Sequence, residues 1–353
     1  MGHSSEIQFS VAGPIGRMHL TNEKSLNSLT QAMCLGMHEH LSKWATDAAI
    51  HAVVVTAEGE RAFCAGGDVV QVSTAGRSDP IAAREFFRVE YAMDLAIAGF
   101  PKPYICLVDG IVMGGGVGIS VNGRYRVMSE HIIAAMPETG IGLLPDVGAT
   151  AFLNKCPGRI GLYLGLTGAR IDAADALYAG FATHLVSREN QPGLLDALIS
   201  ANYYTDNFAA VDALLAEFDE APGPSKLKDR HADIDRLFAD NDVENILATL
   251  KVDGSELANE ALKDLGHMSP TSLKITAKQI TSNPSISVKD ALILEHRLVS
   301  QVLHRHDFYE GIRAALIDKD RNPKWQPATL AEVTPAYIDA HFESLGDGEL
   351  VLD

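Results

Sequence analysis

The chain has 353 residues, 46% of them hydrophobic and 21% charged, a globular mix that excludes wholesale disorder and leaves room for two domains or one domain with a large appendage. Its formal net charge of −17 argues against nucleic acid or an anionic membrane surface as the main partner, while an anionic ligand could still sit at a local Lys/Arg cluster. No apolar run approaches the roughly 18 residues that a membrane span needs.

The elements read as follows in chain order. Residues 6–11 alternate, with Ile7, Phe9 and Val11 on one face, as in a half-buried strand. Gly13-Pro14 turns the chain into a second strand over 15–20. A polar loop over 21–27 leads to a helix over 28–45, and Ala52–Thr56 is a short buried strand. Arg61–Asp68 (RAFCAGGD) ends in a Gly-rich turn. A helix starts at Val69, is broken around Asp79-Pro80, and resumes over 81–97 with Phe86, Phe87 and Tyr91 as anchors and Glu90 beside them. Tyr104–Val108 is a strand that feeds a second Gly-rich turn, Met113-Gly114-Gly115-Gly116. Strands over 124–128 and 131–136 follow, then mostly helix, including one long helix over 191–216.

Strands alternating with helices predict an α/β protein. The unit of strand, Gly-turn and helix occurs at 53–67 and again at 104–116, which reads as a structural repeat. The Pro/Gly loop 221–225 is the best boundary, giving regions 1–220 and 221–353, the second entirely helical. The acidic tail 346–353 is expected to fray. Cys34, Cys64, Cys106 and Cys156 form no CxxC pair and read as reduced thiols. The first ten residues carry neither a basic-then-apolar signal nor an Arg-rich transit pattern, so a cytoplasmic location is expected.

Several patterns fall short of a site. There is no Walker A motif and no dinucleotide-binding glycine fingerprint in strand–helix context. Gly118–Gly123 looks like a nucleophile elbow with one residue too many, which makes Ser120 a poor nucleophile. His38/His40 and His304/His306 are two apart and point away from a single helix face, so they read as surface rather than metal ligands.

The paired glycines are different. Each pair follows an apolar strand and precedes a helix pattern. Glycine there serves either close helix–sheet packing or the presentation of backbone N–H groups to a ligand. Two such groups aimed at one carbonyl oxygen would form an oxyanion hole. Two carboxylates follow. Glu138, in Met136-Pro137-Glu138-Thr139, reads by itself as a helix cap or a surface acid. Asp146 stands among Leu143, Leu144 and Val147, so its carboxyl should be desolvated and its pKa raised. Two acids near one apolar pocket can divide roles, one ionised and one protonated.

These segments together resemble the crotonase (enoyl-CoA hydratase/isomerase) superfamily, and within it the branch that hydrolyses acyl-CoA thioesters. AFCAGGD at 62–68, MGGGVGISV at 113–121 and AMPETGIGLLPDVG at 135–148 carry the likeness. LTGARI at 166–171, AGFATHLV at 179–186, SPTSLKIT at 269–276 and HDFYEGIRAALIDKDRNPKW at 306–325 extend it over nearly the whole chain. The resemblance implies a crotonase-like spiral of ββα units, with a C-terminal helical region that covers the site and often mediates homo-oligomers. It implies an oxyanion hole from the N–H groups of Gly67 and Gly115. Lys24, Ser25 and Leu26, with Ala65, Gly66 and Asp68, would line the CoA arm. Glu90, Gly115, Glu138 and Asp146 match positions that contact substrate. No metal or redox cofactor is implied, because CoA belongs to the substrate.

Hydratases of the superfamily place water with two Glu, the first in GGGxE after the turn. That position is Gly118 here, whereas the second matches Glu138. Loss of one acid should cost a hydratase about 10²–10⁴ in rate. The resemblance therefore implies thioester hydrolysis. A hydratase/isomerase, or a non-catalytic acyl-CoA-binding subunit on the same fold, remain as the other readings.

Overall fold

Val53, Val54 and Val55 in one strand, and all five residues of Tyr104–Val108 in another, are buried, as expected for parallel strands covered on both faces. The structure is a computed structural model and describes residues 5–203 and 206–352. Its strands are β1 (Ile7–Ala12), β2 (Ile15–Leu20), β3 (Ala52–Ala57), β4 (Ala62–Cys64), β5 (Tyr104–Val108), β6 (Ile111–Met113), β7 (Tyr125–Met128), β8 (Ile133–Ala135) and β9 (His184–Leu185). Among the described residues they form a six-stranded sheet in the order β1-β2-β3-β5-β7-β9 and a three-stranded sheet, β4-β6-β8. β1 and β2 make an antiparallel hairpin, and β2, β3, β5, β7 and β9 pair in parallel.

Strands therefore alternate between sheets along the chain. β3 is followed by β4, β5 by β6 and β7 by β8, each time from the large sheet to the small one. This is the expected ββα spiral, with a third turn at β7–β8 that lacks paired glycines.

Contacts group the chain into two compact units. The first comprises Met1–Gly67, Ala92–Ala134 and Ile171–Lys228; the second comprises Asp68–Tyr91, Ala135–Arg170 and Asp229–Asp353. The Pro/Gly loop 221–225 lies in the first, shortly before it ends at Lys228. The first unit holds the sheets, up to Ala134 of β8. Its core packs Val54, Ile105, Leu107 and Val127 of the large sheet against Leu194, Leu198, Val211 and Leu215 of two helices. Each such side chain contributes about 1.5–3 kcal/mol by leaving water. The second unit is helical, with Pro270–Ser282, Val288–Val302 and His306–Ile312 among its helices.

Four local expectations are corrected. The single helix over 191–216 is two helices, Gln191–Ser200 and Asn207–Phe218. Asp206 starts the second by accepting from Phe208 N and Ala209 N, a strong cap that the helical spacing conceals. The first long helix begins at Gln31 rather than Ser28, because Thr30 takes the extended N-cap conformation and its side chain accepts from Met33 N. Val11 is exposed rather than on the buried face of β1. The acidic tail is held down. Arg297 grips both oxygens of Glu349 at 3.0 and 2.9 Å, and Leu350 and Leu352 are buried. Asp353 lies outside the described residues. The four cysteines are buried free thiols.

Candidate active site

In the first unit, β4 and β6 run parallel, with Ala62 paired to Ile111 and Cys64 to Val112, so the two Gly-rich turns leave the same end of adjacent strands. The turns touch. A Cβ built on Gly66 would stand 3.9 Å from Gly115 N and 4.0 Å from Gly114 Cα. Gly114 has φ +49 and ψ −123, a backbone state that essentially only glycine adopts, and it caps the helix Gly115–Val121 with no side-chain bond to the helix amides. Gly115 N–H, the first in that helix, has no acceptor within it. A Cβ on Gly116 would fall 2.1 Å from Cys64 O, so only glycine lets the helix start this close to β4.

The turn at 65–67 is fixed from the N-terminal loop. Ala65 N donates to Leu26 O at 3.0 Å, and Asn27 Nδ2 donates to Ala62 O at 2.9 Å and Glu58 O at 3.0 Å. Lys24 and Ser25 lie exposed in a 3₁₀ turn, and Leu26 follows at φ 54. The structure thus brings the predicted Lys24–Leu26 loop to Ala65, the first residue of the predicted Ala65–Asp68 turn. Asp68, in the second unit, caps the helix Val69–Gly76 by accepting from Gln71 N at 3.0 Å. Ser120 is buried, and its Oγ donates back to Gly116 O and Val117 O of its own helix, a structural use of the hydroxyl. His40 Nδ1 donates to Gly36 O at 2.8 Å, and its ring stacks on Phe9. Among the described residues no group of three His, Cys, Asp or Glu could hold a metal ion.

The second unit gathers the acids. Glu90 is 2% exposed, Glu138 and Asp146 are 4% exposed, and a fourth, Glu295, is fully buried. Burial of this kind penalises the charged form, and neighbouring carboxylates add to the penalty. Glu138 is pushed well above the usual carboxylate range, first by burial, then by Asp146 and Glu90. Glu90 is raised by burial and by Asp146. Asp146 is raised less, to about 6: Tyr91 donates to its Oδ2 at 2.7 Å and favours the ionised form against burial. Tyr91, fully buried, holds its own proton far up the scale and stays a donor. One oxygen of Glu138 and one of Glu90 have no hydrogen-bond partner among the described residues. Buried polar atoms of this kind are rare unless something else binds them.

Glu138 starts a 3₁₀ turn, Glu138–Ile141. The next residue anchors it: Thr139 Oγ1 donates to Leu166 O at 3.1 Å, and Thr139 O accepts from Ser269 N at 3.0 Å. Ser269 in turn donates to Asp307 Oδ2 at 2.6 Å. These bonds tie the segments at 269–276 and 306–325 to the turn that carries Glu138. Sequence reading missed Tyr91, taken as a packing anchor, and missed Glu295 and Gln279 entirely. A signal for the last two existed. Glu295 falls in the apolar stripe Ala291, Leu292, Leu298 and Val299, and Gln279 in the stripe Ile275, Thr276 and Ile280. A polar side chain on a buried stripe needs a partner.

Known proteins place this architecture. The family model for enoyl-CoA hydratase/isomerase matches residues 15–342, and the chain belongs to that family. The chain is 42% identical over 353 residues to a Danio rerio protein named 3-hydroxyisobutyryl-CoA hydrolase, mitochondrial, covering 99% of this chain and 92% of that one. The Homo sapiens protein of the same name is 41% identical over 350 residues, covering 98% and 91%. Among solved structures, one titled a carnitinyl-CoA dehydratase from Mycobacterium thermoresistibile matches with TM-score 0.93 and 38% identity over 99% of both chains. One titled an enoyl-CoA hydratase from Rhodobacter sphaeroides 2.4.1 matches with TM-score 0.92 and 39% identity, covering 99% of this chain and 100% of that one.

Proposed function

We propose that this protein hydrolyses a short branched 3-hydroxyacyl-CoA, 3-hydroxyisobutyryl-CoA before others, to the free hydroxy acid and CoA. The observation that carries this reading is the buried acid pair, Glu138 with an unpartnered oxygen and Asp146 fixed by Tyr91. The names of the full-length relatives support it. The hydratase and dehydratase titles of the two similar structures point to the other reading, hydration of an enoyl-CoA. Gly118 argues against that reading, since a hydratase of this family carries an acid there.

In the proposed mechanism the N–H groups of Gly67 and Gly115 receive the thioester oxygen. Removing one such donor typically costs 10²–10³ in rate, or about 2.7–4 kcal/mol. Glu138 acts on the carbonyl carbon, either as the nucleophile that forms a mixed anhydride or as the base that deprotonates water. In both routes a C–O bond forms and the C–S bond breaks. A carboxylate kept basic by burial suits either role better than a solvated one. Asp146 orients the substrate hydroxyl or the water. In the reactive form the Glu138–Asp146 pair holds one proton, on Asp146, which gives it to the leaving thiolate and regains it from the water that completes hydrolysis. Glu90 supports the hydroxyl end. Lys24, Ser25, Leu26, Ala65, Gly66 and Asp68 line the CoA arm. CoA enters as part of the substrate, and the chemistry calls for no separate cofactor.

The test is release of free CoA from 3-hydroxyisobutyryl-CoA, read with a thiol reagent, for the wild type and Glu138→Gln. The wild type should release CoA and the variant should not. Release by Glu138→Gln at the wild-type rate would remove Glu138 from the mechanism.

A further inference from the structure

The segment Leu143–Thr150, which carries Asp146, is in an unfavourable conformation. Val147 has φ +54, the left-handed region that a β-branched side chain avoids, and Gly148 follows at φ +90. Such a backbone persists only where its surroundings over-determine it. Two buried side chains from distant helices do so here. Glu295 Oε2 accepts from Gly148 N at 2.7 Å, and Glu295 Oε1 accepts from Thr150 N at 2.8 Å and Thr150 Oγ1 at 2.7 Å. Gln279 Nε2 donates to Pro145 O at 2.7 Å and to Thr150 Oγ1 at 2.8 Å. The bonds fall on both sides of Asp146, at Pro145 before it and at Gly148 and Thr150 after it.

We propose that Glu295, with Gln279 and Thr150, is a positioning clamp that holds the strained Asp146 loop in its reactive conformation. This rests on the assignment of Asp146 to the reaction made above. Both oxygens of Glu295 are occupied by loop donors, so it does not itself meet the substrate. Burial pushes its carboxyl up to about 8, while the Thr150 and Gly148 donors favour the ionised form, which accepts at both oxygens as an amide could not. Three donors converge on it, and a Gln at 295 would turn an NH₂ group toward Gly148 N–H or Thr150 N–H. The loop would then lose a tie and Val147 could relax out of its left-handed state, moving Asp146. A displacement of about 1 Å of a catalytic group costs about 10²-fold.

The test is a double-mutant cycle in kcat for CoA release, with Glu295→Gln and Asp146→Asn made singly and together. Glu295→Gln should lower kcat by about 10²-fold with KM nearly unchanged, and should cost almost nothing further in the Asp146→Asn background. Equal losses in both backgrounds would show that Glu295 only stabilises the fold, and overturn the clamp. Thr150→Val removes the hydroxyl shared by Glu295 and Gln279 while keeping the side-chain shape. It carries the same cycle if Glu295→Gln does not fold, with a smaller loss that again vanishes beside Asp146→Asn. Wild-type kcat in Glu295→Gln or Thr150→Val, with Asp146→Asn inactive, overturns the clamp alone. Wild-type kcat in Asp146→Asn overturns the clamp and the role of Asp146 together.

Discussion

The two units solve opposite electrostatic problems. The first offers backbone N–H groups at two glycine turns, positioned by strand pairing and by close packing of Gly116 on Cys64. Peptide N–H groups do not titrate, and their geometry follows from the sheet. The second buries Glu90, Glu138, Asp146 and Glu295 together, which stability alone would never select. A fixed dipole is cheap to fold, whereas a reactive acid must be held against its own desolvation. The glycine turns should therefore be sensitive to shape and insensitive to pH, and the acid cluster the reverse.

The largest expected effect sharpens the acid side. Glu138→Gln should lower kcat by about 10²–10⁴-fold and keep the fold, as read by circular dichroism beside the CoA-release assay. Next comes the shape side. Gly116→Ala places a methyl group 2.1 Å from Cys64 O and must push the turn away from β4. It should cost about 10²–10³-fold in kcat/KM, with no change in the shape of the pH profile. A pH profile that moves with Gly116→Ala would break the division drawn above.

A third test is electrostatic. The charge on Asp146 raises the Glu138 pKa. The residual activity of Asp146→Asn should therefore lose its acid limb at a lower pH than the wild type does. A limb that stays in place would mean that the two carboxyls do not sense each other.

The smallest effect is on stability. Asp146 is raised in the folded chain from 3.8 to about 6. Between those values the folded state binds more protons than the unfolded state, so this group's contribution to stability falls as pH rises from about 4 to about 6. The full difference is about 3 kcal/mol. Asp146→Asn should then melt above the wild type at pH 8, and the gap should close at pH 4. Equal melting temperatures at pH 8 would mean that the carboxylate is better solvated than its burial implies.

Much of this was legible in the sequence, for physical reasons. The apolar strands and the glycines before helices follow from local rules of burial and backbone freedom, and the strand Tyr104–Val108 falls where the apolar pattern puts it. Asp146 among leucines announced its own desolvation. What stayed hidden depends on partners far along the chain. Tyr91 donates across 55 residues and Glu295 accepts across 147. Periodicity shows that such a side chain is buried, but not what it meets. The third spiral turn was missed because β7–β8 lacks the glycine pair that marks the other two.

Hydrolysis rather than hydration is the central claim, and one side-by-side assay addresses it. The purified protein is given 3-hydroxyisobutyryl-CoA and, separately, crotonyl-CoA, with free thiol and enoyl absorbance followed in each. Rapid CoA release from the first and unchanged enoyl absorbance in the second is the expected result. Loss of enoyl absorbance from crotonyl-CoA, with no thiol released from the hydroxyacyl ester, would contradict the account.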